Sequence, residues 1–394
     1  MEDHAGSVDD HFAVTSAHCR ARVGVKWNKH GSGVTPAWVA DMDFDPPPAI
    51  LATIAEHVER GDLGYGPFAA DLAPAWADWQ ERRHGWRPDT DRVHAFTSVL
   101  HAMETVLWHT TEPGDGIVVF SPIYYPFLDA IRDSGRRCIE VPLEREGWRL
   151  DPSRLAAAVD DTTRMILWCN PHNPTGRVFD TDEIEAVAEV AERHDLLVVS
   201  DDVWADLTLE PPGSTSPFQP LATCDERFAG RLVTMGSASK TFNIAGLRTA
   251  VAHIDHEPLN DLFAKMPAHL HGSPSTLGMA STITAWTECD EWLTGLRAAL
   301  RARRDQLAAR LADVAPAIRF DPPNATYLAW LDFNDTALSD QPAERLLADA
   351  RVALSDGTTF GVGGDGFARL NFATSTEILD ELIDRIAGAL DSST

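Results

Sequence analysis

The chain of 394 residues carries 60 acidic and 33 basic side chains, a formal net charge of -27, and 44% of its residues are hydrophobic. This composition predicts a folded chain of two structural units, and its negative field excludes nucleic acid and anionic membranes as partners. Five scattered cysteines without paired short spacing exclude a disulfide framework or a zinc knuckle. An acidic N-terminus and the lack of any membrane-length apolar run predict a soluble cytoplasmic protein.

From about residue 90 onward, short apolar runs alternate with amphipathic stretches, which is typical of parallel strands joined by crossover helices. A helix from Glu183 to His194, after a cap at Thr181 or Asp182, completes one predicted βαβ unit. The other predicted elements are strands at 117–120, 165–168, 196–199, 232–235 and 326–331, and helices at 292–314 and 377–390. The fold class is therefore predicted to be α/β.

Three polar residues stand where predicted strands end. Asn173 follows one strand, Asp201 ends the next, and Lys240 follows a third. In open α/β sheets, ligands bind beyond the carboxyl ends of the strands. The sequence therefore predicts that these three side chains share one ligand site.

Lys240 lies in the stretch from Ser237 to Arg248, among small hydroxyl and glycine residues. A lysine in such a pocket can form a Schiff base with an aldehyde cofactor, while hydroxyls and an arginine can hold a phosphate. This combination indicates pyridoxal 5'-phosphate. A surface lysine after a strand is the alternative interpretation of the same motif.

Asp201 and Asn173 suit the ring of that cofactor. The Asp201 carboxylate could keep the pyridine nitrogen protonated, although an aspartate after a strand is also a common helix cap. The Asn173 amide could donate to the phenolic oxygen, although its loop, Asn170 to Gly176, is also a plain turn by composition.

Further candidates surround these residues. Tyr124 offers an aromatic face for stacking, with core packing as the alternative. The helix opening at Thr97-Ser98-Val99 could hold a phosphate or be a simple cap. Arg369, in a strand-like run, could clamp an α-carboxylate or form a structural ion pair. His269 and His271 lack a third ligand cluster, so no metal site is predicted.

Two strings are specific: Trp38 to Phe44, and Asn170 to Gly176. With them and the lysine motif, the chain resembles the fold-type I pyridoxal-phosphate enzymes, and in particular the MalY/PatB branch of cystathionine β-lyase-like C-S lyases. The resemblance implies a large cofactor-binding domain over 46–285 with a mostly parallel seven-stranded sheet. It implies a smaller α+β domain from 1–45 and 286–394.

The resemblance also implies residue roles. Lys240 is expected to be the Schiff-base lysine and Tyr124 the second catalytic residue, stacked on the ring. Tyr65 is expected to reach the phosphate of a neighbouring subunit, which implies a homodimer with shared active sites. The remaining implied residues are Ser98, Val99, Ser237 and Arg248 for the phosphate, Asn173, Asp201 and Trp204 for the ring, and Ala40, Asn173, Tyr327 and Arg369 for the substrate.

The chain departs from the family pattern at three places. Trp204 stands where relatives usually have His or Tyr, Asn324 where they often have Glu, and Thr97-Ser98 where they have Pro-Gly. An indole can donate a hydrogen bond but cannot accept one or ionise, so Trp204 indicates a specialised substrate or an altered outcome.

The leading functional hypothesis is α,β-elimination from an S-substituted L-cysteine, such as cystathionine or a cysteine S-conjugate, giving thiol, pyruvate and ammonia. The alternative is an aminotransferase or decarboxylating deaminase acting on an S-conjugated cysteine. A binding protein that keeps the fold without turnover is the third hypothesis, and the presence of Lys240 counts against it.

Overall fold

The computed structural model describes residues 12–211, 217–267, 270 and 272–392. Its helices are α1 Ser16–Ala21, α2 Val25–Asn28, α3 Pro48–Arg60, α4 Ala69–His84, α5 Val99–Thr110, α6 Tyr125–Asp133, α7 Pro152–Ala158, α8 Thr181–Arg193, α9 Leu221–Cys224, α10 Glu257–Lys265, α11 Thr276–Glu288, α12 Asp290–Val314, α13 Pro342–Arg345 and α14 Thr376–Ser392. Its strands are β1 Thr35–Pro36, β2 Val93–Phe96, β3 Gly116–Ser121, β4 Arg137–Pro142, β5 Thr163–Cys169, β6 Leu197–Asp201, β7 Leu232–Gly236, β8 Ala250–Asp255, β9 Arg319–Phe320, β10 Leu328–Asp332, β11 Val352–Ala353, β12 Ser355–Asp356 and β13 Phe367–Asn371.

The largest sheet has seven strands in the order β2-β8-β7-β6-β5-β3-β4. Strands β4, β3, β5, β6 and β7 run parallel, and β8 pairs antiparallel with both β7 and β2. The mostly parallel seven-stranded sheet and the α/β fold class are confirmed.

Alternate side chains of the central strands enter two different cores. In β3, Ile117 and Val119 belong to the main cluster, while Val118 and Phe120 belong to a second cluster on the other face. Both faces of the sheet are therefore buried, as expected for parallel strands covered by crossover helices. This is why these strands appear in the sequence as continuous apolar runs.

Two smaller sheets involve the C-terminal part of the chain. One has four strands in the order β12-β13-β10-β9, and β13 carries Arg369. The other joins β1, near the N-terminus, to β11 in parallel. The N-terminal segment is thereby tied to the C-terminal part, although the division at 45/46 and 285/286 stays a prediction.

Most predicted elements are present, with small shifts at their ends. The cap predicted at Thr181 or Asp182 is wrong, because Asp180 is the N-cap. In its capping box, the Asp180 side chain accepts from the backbone N-H of Glu183, and the Glu183 side chain accepts from the backbone N-H of Asp180. The strand predicted from residue 326 begins instead at Leu328, because Thr326 has φ 71° and cannot continue an extended strand. None of the described helices is long and apolar enough to span a bilayer.

Candidate active site

A cavity of about 200 Å³ opens at the carboxyl ends of β5, β6 and β7. The parallel direction of these strands brings their polar end residues to one edge, as predicted. Predicted residues in the lining are Ala40, Ser98, Val99, Tyr124, Asn173, Asp201, Trp204, Ser237, Lys240 and Arg248.

Lys240 follows β7 and is half-buried in this cavity. Its Nζ donates to the Ala40 carbonyl oxygen at 3.0 Å and lies 5.9 Å from the centre of the Trp204 ring. Burial lowers the pKa of the Lys240 amine, because desolvation disfavours the ammonium form. The geometry thus holds a lysine whose neutral, nucleophilic form is favoured relative to a lysine in water.

Asp201, the last residue of β6, is only 5% exposed. Its Oδ1 accepts from the backbone N-H of Val203 at 3.1 Å, and the carboxylate forms no ion pair with any residue that the structure describes. Burial raises the pKa of Asp201 to about 6. A cationic ring nitrogen opposite the Asp201 carboxylate would offset the free-energy cost of burying that carboxylate.

Arg369 projects from β13 into contact with Asn173 and is only 3% exposed. Nη1 donates to Asn173 Oδ1 at 2.8 Å, and Nη2 donates to the Trp38 carbonyl and to Ser355 Oγ at 3.1 and 3.2 Å. Nε has no partner, and no carboxylate of the described chain pairs with this guanidinium. A buried arginine with only neutral partners is suited to a carboxylate ligand.

The helix α5 points its N-terminus at the cavity. Ser98 Oγ accepts from the backbone N-H of His101 at 3.1 Å, so its own hydroxyl hydrogen stays available. Ser237 Oγ instead donates to the Thr249 carbonyl at 2.7 Å, while Thr249 Oγ1 is buried without a partner. Arg248 forms no ion pair with the described residues. Hydroxyls, a helix N-terminus and a free arginine together suit a phosphate.

Three tyrosines from the prediction have different positions. Tyr124 caps α6 and lines the cavity. Tyr327 is fully buried behind it, where its Oη donates to the Ala40 carbonyl at 3.0 Å. Tyr65 is fully exposed and lines a separate groove with Leu63 and Gly64. Tyr327 and Arg369 contact cavity residues from outside its lining, and Tyr65 lies away from it.

The loop that carries Asn173 is braced by His172, which is 1% exposed. Its Nε2 lies 3.2 Å from the Phe120 carbonyl and its Nδ1 lies 2.9 Å from Thr175 Oγ1. Since a carbonyl oxygen only accepts, Nε2 carries the proton and Nδ1 accepts. Burial lowers the pKa of His172 to about 4, which keeps this arrangement at neutral pH. His172 is therefore a structural residue of the loop.

Sequence reasoning missed a buried network behind the lysine. Asp206 accepts from Trp79 Nε1 at 3.1 Å, from His84 Nε2 at 3.1 Å and from Thr241 Oγ1 at 3.2 Å. Burial raises the pKa of Asp206, but hydrogen bonds and charge from His84 outweigh this and lower it overall. The signal in the sequence was the hydroxyl of Thr241 directly after Lys240.

Two asparagines that sequence reasoning also missed hold the N-terminal segment over the cavity. Asn243 Nδ2 donates to the Met42 and Phe44 carbonyls at 3.1 and 2.8 Å. Asn371 Nδ2 donates to the Val39 and Asp41 carbonyls at 2.8 and 2.6 Å. Asn243 stands inside the lysine motif that carried the resemblance, and Asn371 stands two residues after Arg369 in its strand-like run, so these positions were the available signal.

His269 and His271, dismissed as metal ligands from the sequence, lie outside the described residues. Among the residues that are described, the carboxylates of Asp180, Asp182 and Glu183 come together. Arg149 and Arg177 form ion pairs with these carboxylates and compensate their charge.

Comparison with known proteins gives a consistent result. The family model "Aminotransferase class I and II" matches residues 39–386. The chain is 35% identical to a putative cystathionine β-lyase of Mycobacterium tuberculosis over 94% of this chain and 95% of that one. It is 34% identical to cystathionine β-lyase PatB of Bacillus subtilis, covering 93% and 96% of the two chains.

A solved structure shows the same fold. The crystal structure of a putative PLP-dependent β-cystathionase from Corynebacterium diphtheriae matches with a TM-score of 0.90 and 31% identity, covering 96% of this chain and 99% of that one. Fold and site together define a fold-type I pyridoxal-phosphate-dependent enzyme. The chain belongs to the aminotransferase class I and II family, in its cystathionine β-lyase-like branch.

The residues fit pyridoxal phosphate. Among the described residues, the buried Asp201 carboxylate and Arg248 form no ion pair and the Thr249 hydroxyl has no partner. All three line one cavity and would complement a pyridinium and a phosphate. Lys240 lies in the same lining, where it would supply the amine for the aldehyde.

Proposed function

We propose that the protein is a C-S lyase that eliminates thiol from S-substituted L-cysteines, leaving pyruvate and ammonia. The observation that carries this proposal is the buried Arg369. Among the described residues its Nε has no partner, and its hydrogen-bond partners are neutral oxygens. A guanidinium in this state favours a substrate with an α-carboxylate. The relatives named cystathionine β-lyase support the reaction type.

Pyridoxal phosphate supplies an electron sink that stabilises negative charge at the substrate Cα. In the proposal, Asp201 would keep the ring nitrogen protonated, Asn173 Nδ2 would donate to the phenolic oxygen, and Tyr124 would stack on the ring. The Asn173 Oδ1 atom is already held by Arg369, which leaves Nδ2 as its free donor.

Lys240 is the residue that binds the cofactor and then removes the Cα proton as general base, since its lowered pKa favours the neutral amine. The α5 N-terminus with Ser98 and Val99 lines the cavity together with Arg248. These groups would hold the phosphate. Ser237 supports the phosphate-binding turn through its bonds to Ser239 and Thr249. The direct phosphate contact predicted for Ser237 from the sequence stays a prediction.

The test is product analysis of the purified protein with cystathionine and with cysteine S-conjugates that carry larger alkyl, aryl or sugar groups. Thiol and pyruvate in equal amounts support the lyase. A keto acid with its thioether intact, or an aldehyde with carbon dioxide, would instead establish the transaminating or decarboxylating alternative.

Lys240→Ala is the matched variant for the same assay. It is expected to lose both turnover and the covalent absorbance of the bound cofactor, because no other described lysine lines the cavity. Lys265→Ala, which alters an exposed lysine paired with Asp261, is the control and should retain both. Full turnover by Lys240→Ala would show that the reaction does not depend on this lysine and would overturn the proposal.

The proposal includes a homodimer with shared active sites in a reducing cytoplasm. Support for the dimer comes from exposed apolar side chains on α3, Leu51 and Val58, and from Leu63, which shares a groove with Tyr65. Tyr65 would contact the phosphate in the neighbouring subunit. All five cysteines are unpaired, in keeping with a reducing compartment. Sedimentation of the wild type and of Leu63→Asp tests the dimer, and a monomeric wild type with full activity would contradict it.

A further inference from the structure

The Ala40 carbonyl oxygen accepts hydrogen bonds from two side chains of different elements. Lys240 Nζ lies 3.0 Å from this oxygen, and Tyr327 Oη donates to it at 3.0 Å. A carbonyl oxygen has two lone pairs, so the two donors satisfy it completely. Both hydrogen bonds draw on the electron density of the same oxygen, so the lysine amine and the tyrosine hydroxyl each weaken the bond of the other.

This oxygen has a fixed position in the fold. The carbonyls on either side of it, those of Val39 and Asp41, both accept from Asn371 Nδ2. Lys26 Nζ donates to the Asp41 carbonyl at 3.0 Å as well. Because the flanking peptide groups are anchored, the Ala40 carbonyl is preorganised toward the lysine. Its position does not depend on the amine.

Trp204 is the second neighbour of the amine. Its ring centre lies 5.9 Å from Lys240 Nζ, and its ring packs edge-on against Tyr327 with centroids 4.8 Å apart. Trp204 and Tyr327 are 2% and 0% exposed. An indole face attracts an ammonium but gives an amine no hydrogen-bond acceptor in its plane. The Ala40 carbonyl is therefore the polar partner at this point.

Influences of both signs act on the amine, and burial is the largest of them. Asp41 and Asp201 favour the ammonium form, whereas burial and the Arg369 guanidinium favour the neutral form. Because the amine is desolvated, a change in one hydrogen-bond acceptor or one neighbouring ring alters its proton affinity measurably.

We propose that the Ala40 carbonyl is the resting site of the Lys240 amine whenever that amine is not joined to the cofactor, and that Tyr327 and Trp204 are positioning residues for it. The inference rests on the proposed function, in which this amine removes the Cα proton. A neutral amine that donates one N-H to the carbonyl keeps its lone pair free for that proton. Tyr327 thus acts through Ala40, which differs from the direct substrate contact that the sequence predicted.

The test uses the full chain after removal of the cofactor and follows the covalent capture of added pyridoxal phosphate by absorbance across pH. Capture requires the neutral amine, so the pH midpoint of its rate reports the pKa of Lys240. Borohydride reduction and peptide mass then locate the captured group. Circular dichroism and thermal unfolding verify that each variant is folded.

Tyr327→Phe removes only the competing hydroxyl, so the carbonyl becomes a better acceptor for the ammonium. We expect the midpoint to rise by roughly half a unit, a fraction of what one charge-assisted hydrogen bond is worth. Trp204→Phe weakens the attraction of the ring face and should lower the midpoint. Tyr125→Phe and Trp108→Phe, both at more exposed positions, are the controls and should leave it unchanged.

Shifts of opposite sign in the two variants support the inference, because a general loosening of the fold would not produce them. Midpoints equal to that of the wild type in both variants overturn it, while capture at Lys240 would still leave the proposed function intact. Failure of the wild type to capture the cofactor at Lys240 would overturn the proposed function as well.

Discussion

Arg369 Nη1 donates a hydrogen bond of 2.8 Å to Asn173 Oδ1, linking a strand of the four-stranded sheet to a loop of the seven-stranded sheet. This bond fixes the amide of Asn173, so that its Nδ2 faces away from the arginine. The same side chain that suits the substrate carboxylate therefore also orients a proposed cofactor contact.

Arg369→Lys is expected to lower kcat/KM by about 100-fold, mainly through a higher KM, because lysine cannot form the planar paired contact with a carboxylate. Burial lowers the pKa of Arg369 to about 10, which still leaves it charged at neutral pH. Steady-state kinetics with an S-substituted cysteine measures the effect. Arg310→Lys, at a surface ion pair with Asp384, is the control, and an unchanged KM for Arg369→Lys would contradict the assignment.

Asp201→Asn and Asp202→Asn form a matched pair of neighbouring, equally buried carboxyls. Asp201→Asn should lower kcat by about 100-fold or more, since the ring nitrogen loses its anionic partner. Asp202 receives a hydrogen bond of 2.5 Å from Ser200 Oγ and lies outside the cavity lining, so Asp202→Asn should retain most activity. Equal losses in the two variants would show that the carboxylate at position 201 has no special role.

The stability of the cofactor-free protein should depend on pH through Asp202. Burial raises the pKa of Asp202 to about 8, above the value of 3.8 for an exposed aspartate. The stabilisation linked to the protonated form is complete below pH 4 and is lost as the pH rises through about 8.

Denaturant unfolding at pH 5 and pH 9 checks this expectation. Wild type should lose more unfolding free energy between these values than Asp202→Asn, because the amide cannot ionise. Asp261→Asn, at an exposed ion pair with Lys265, should behave like the wild type. An identical loss in Asp202→Asn and wild type would contradict the raised pKa.

Gly176→Ala should destabilise the Asn173 loop by more than the strain that alanine has in a left-handed backbone conformation. Gly176 has φ +68°, and an added Cβ would collide with Pro323 and the Ala325 carbonyl. Gly61 has φ +65° and open space around it, so Gly61→Ala costs only the backbone strain, about 1 to 2 kcal/mol. Chemical denaturation and cofactor titration compare the two. Weaker cofactor binding is expected only for Gly176→Ala, and equal effects would argue against the clash.

The sequence alone determined the α/β fold class, most of the strands and the side chains that meet at their ends. Parallel strands buried on both faces must be apolar throughout, and polar residues directly after them must come to one edge of the sheet. For this reason the order of apolar runs and polar residues along the chain is enough to group Asn173, Asp201 and Lys240, which line one cavity.

Only the tertiary structure decided how distant segments of the chain support the sheet edge that carries Asn173, Asp201 and Lys240. The bond between Ala40 and Lys240 spans 200 positions, and the bond between Ala40 and Tyr327 spans 287. Local periodicity contains no information on such contacts, because they depend on how the N-terminal segment crosses two sheets. The role of Tyr327 behind the lysine and the Asp206 network are therefore properties of the packed chain, since their donors and acceptors meet only after folding.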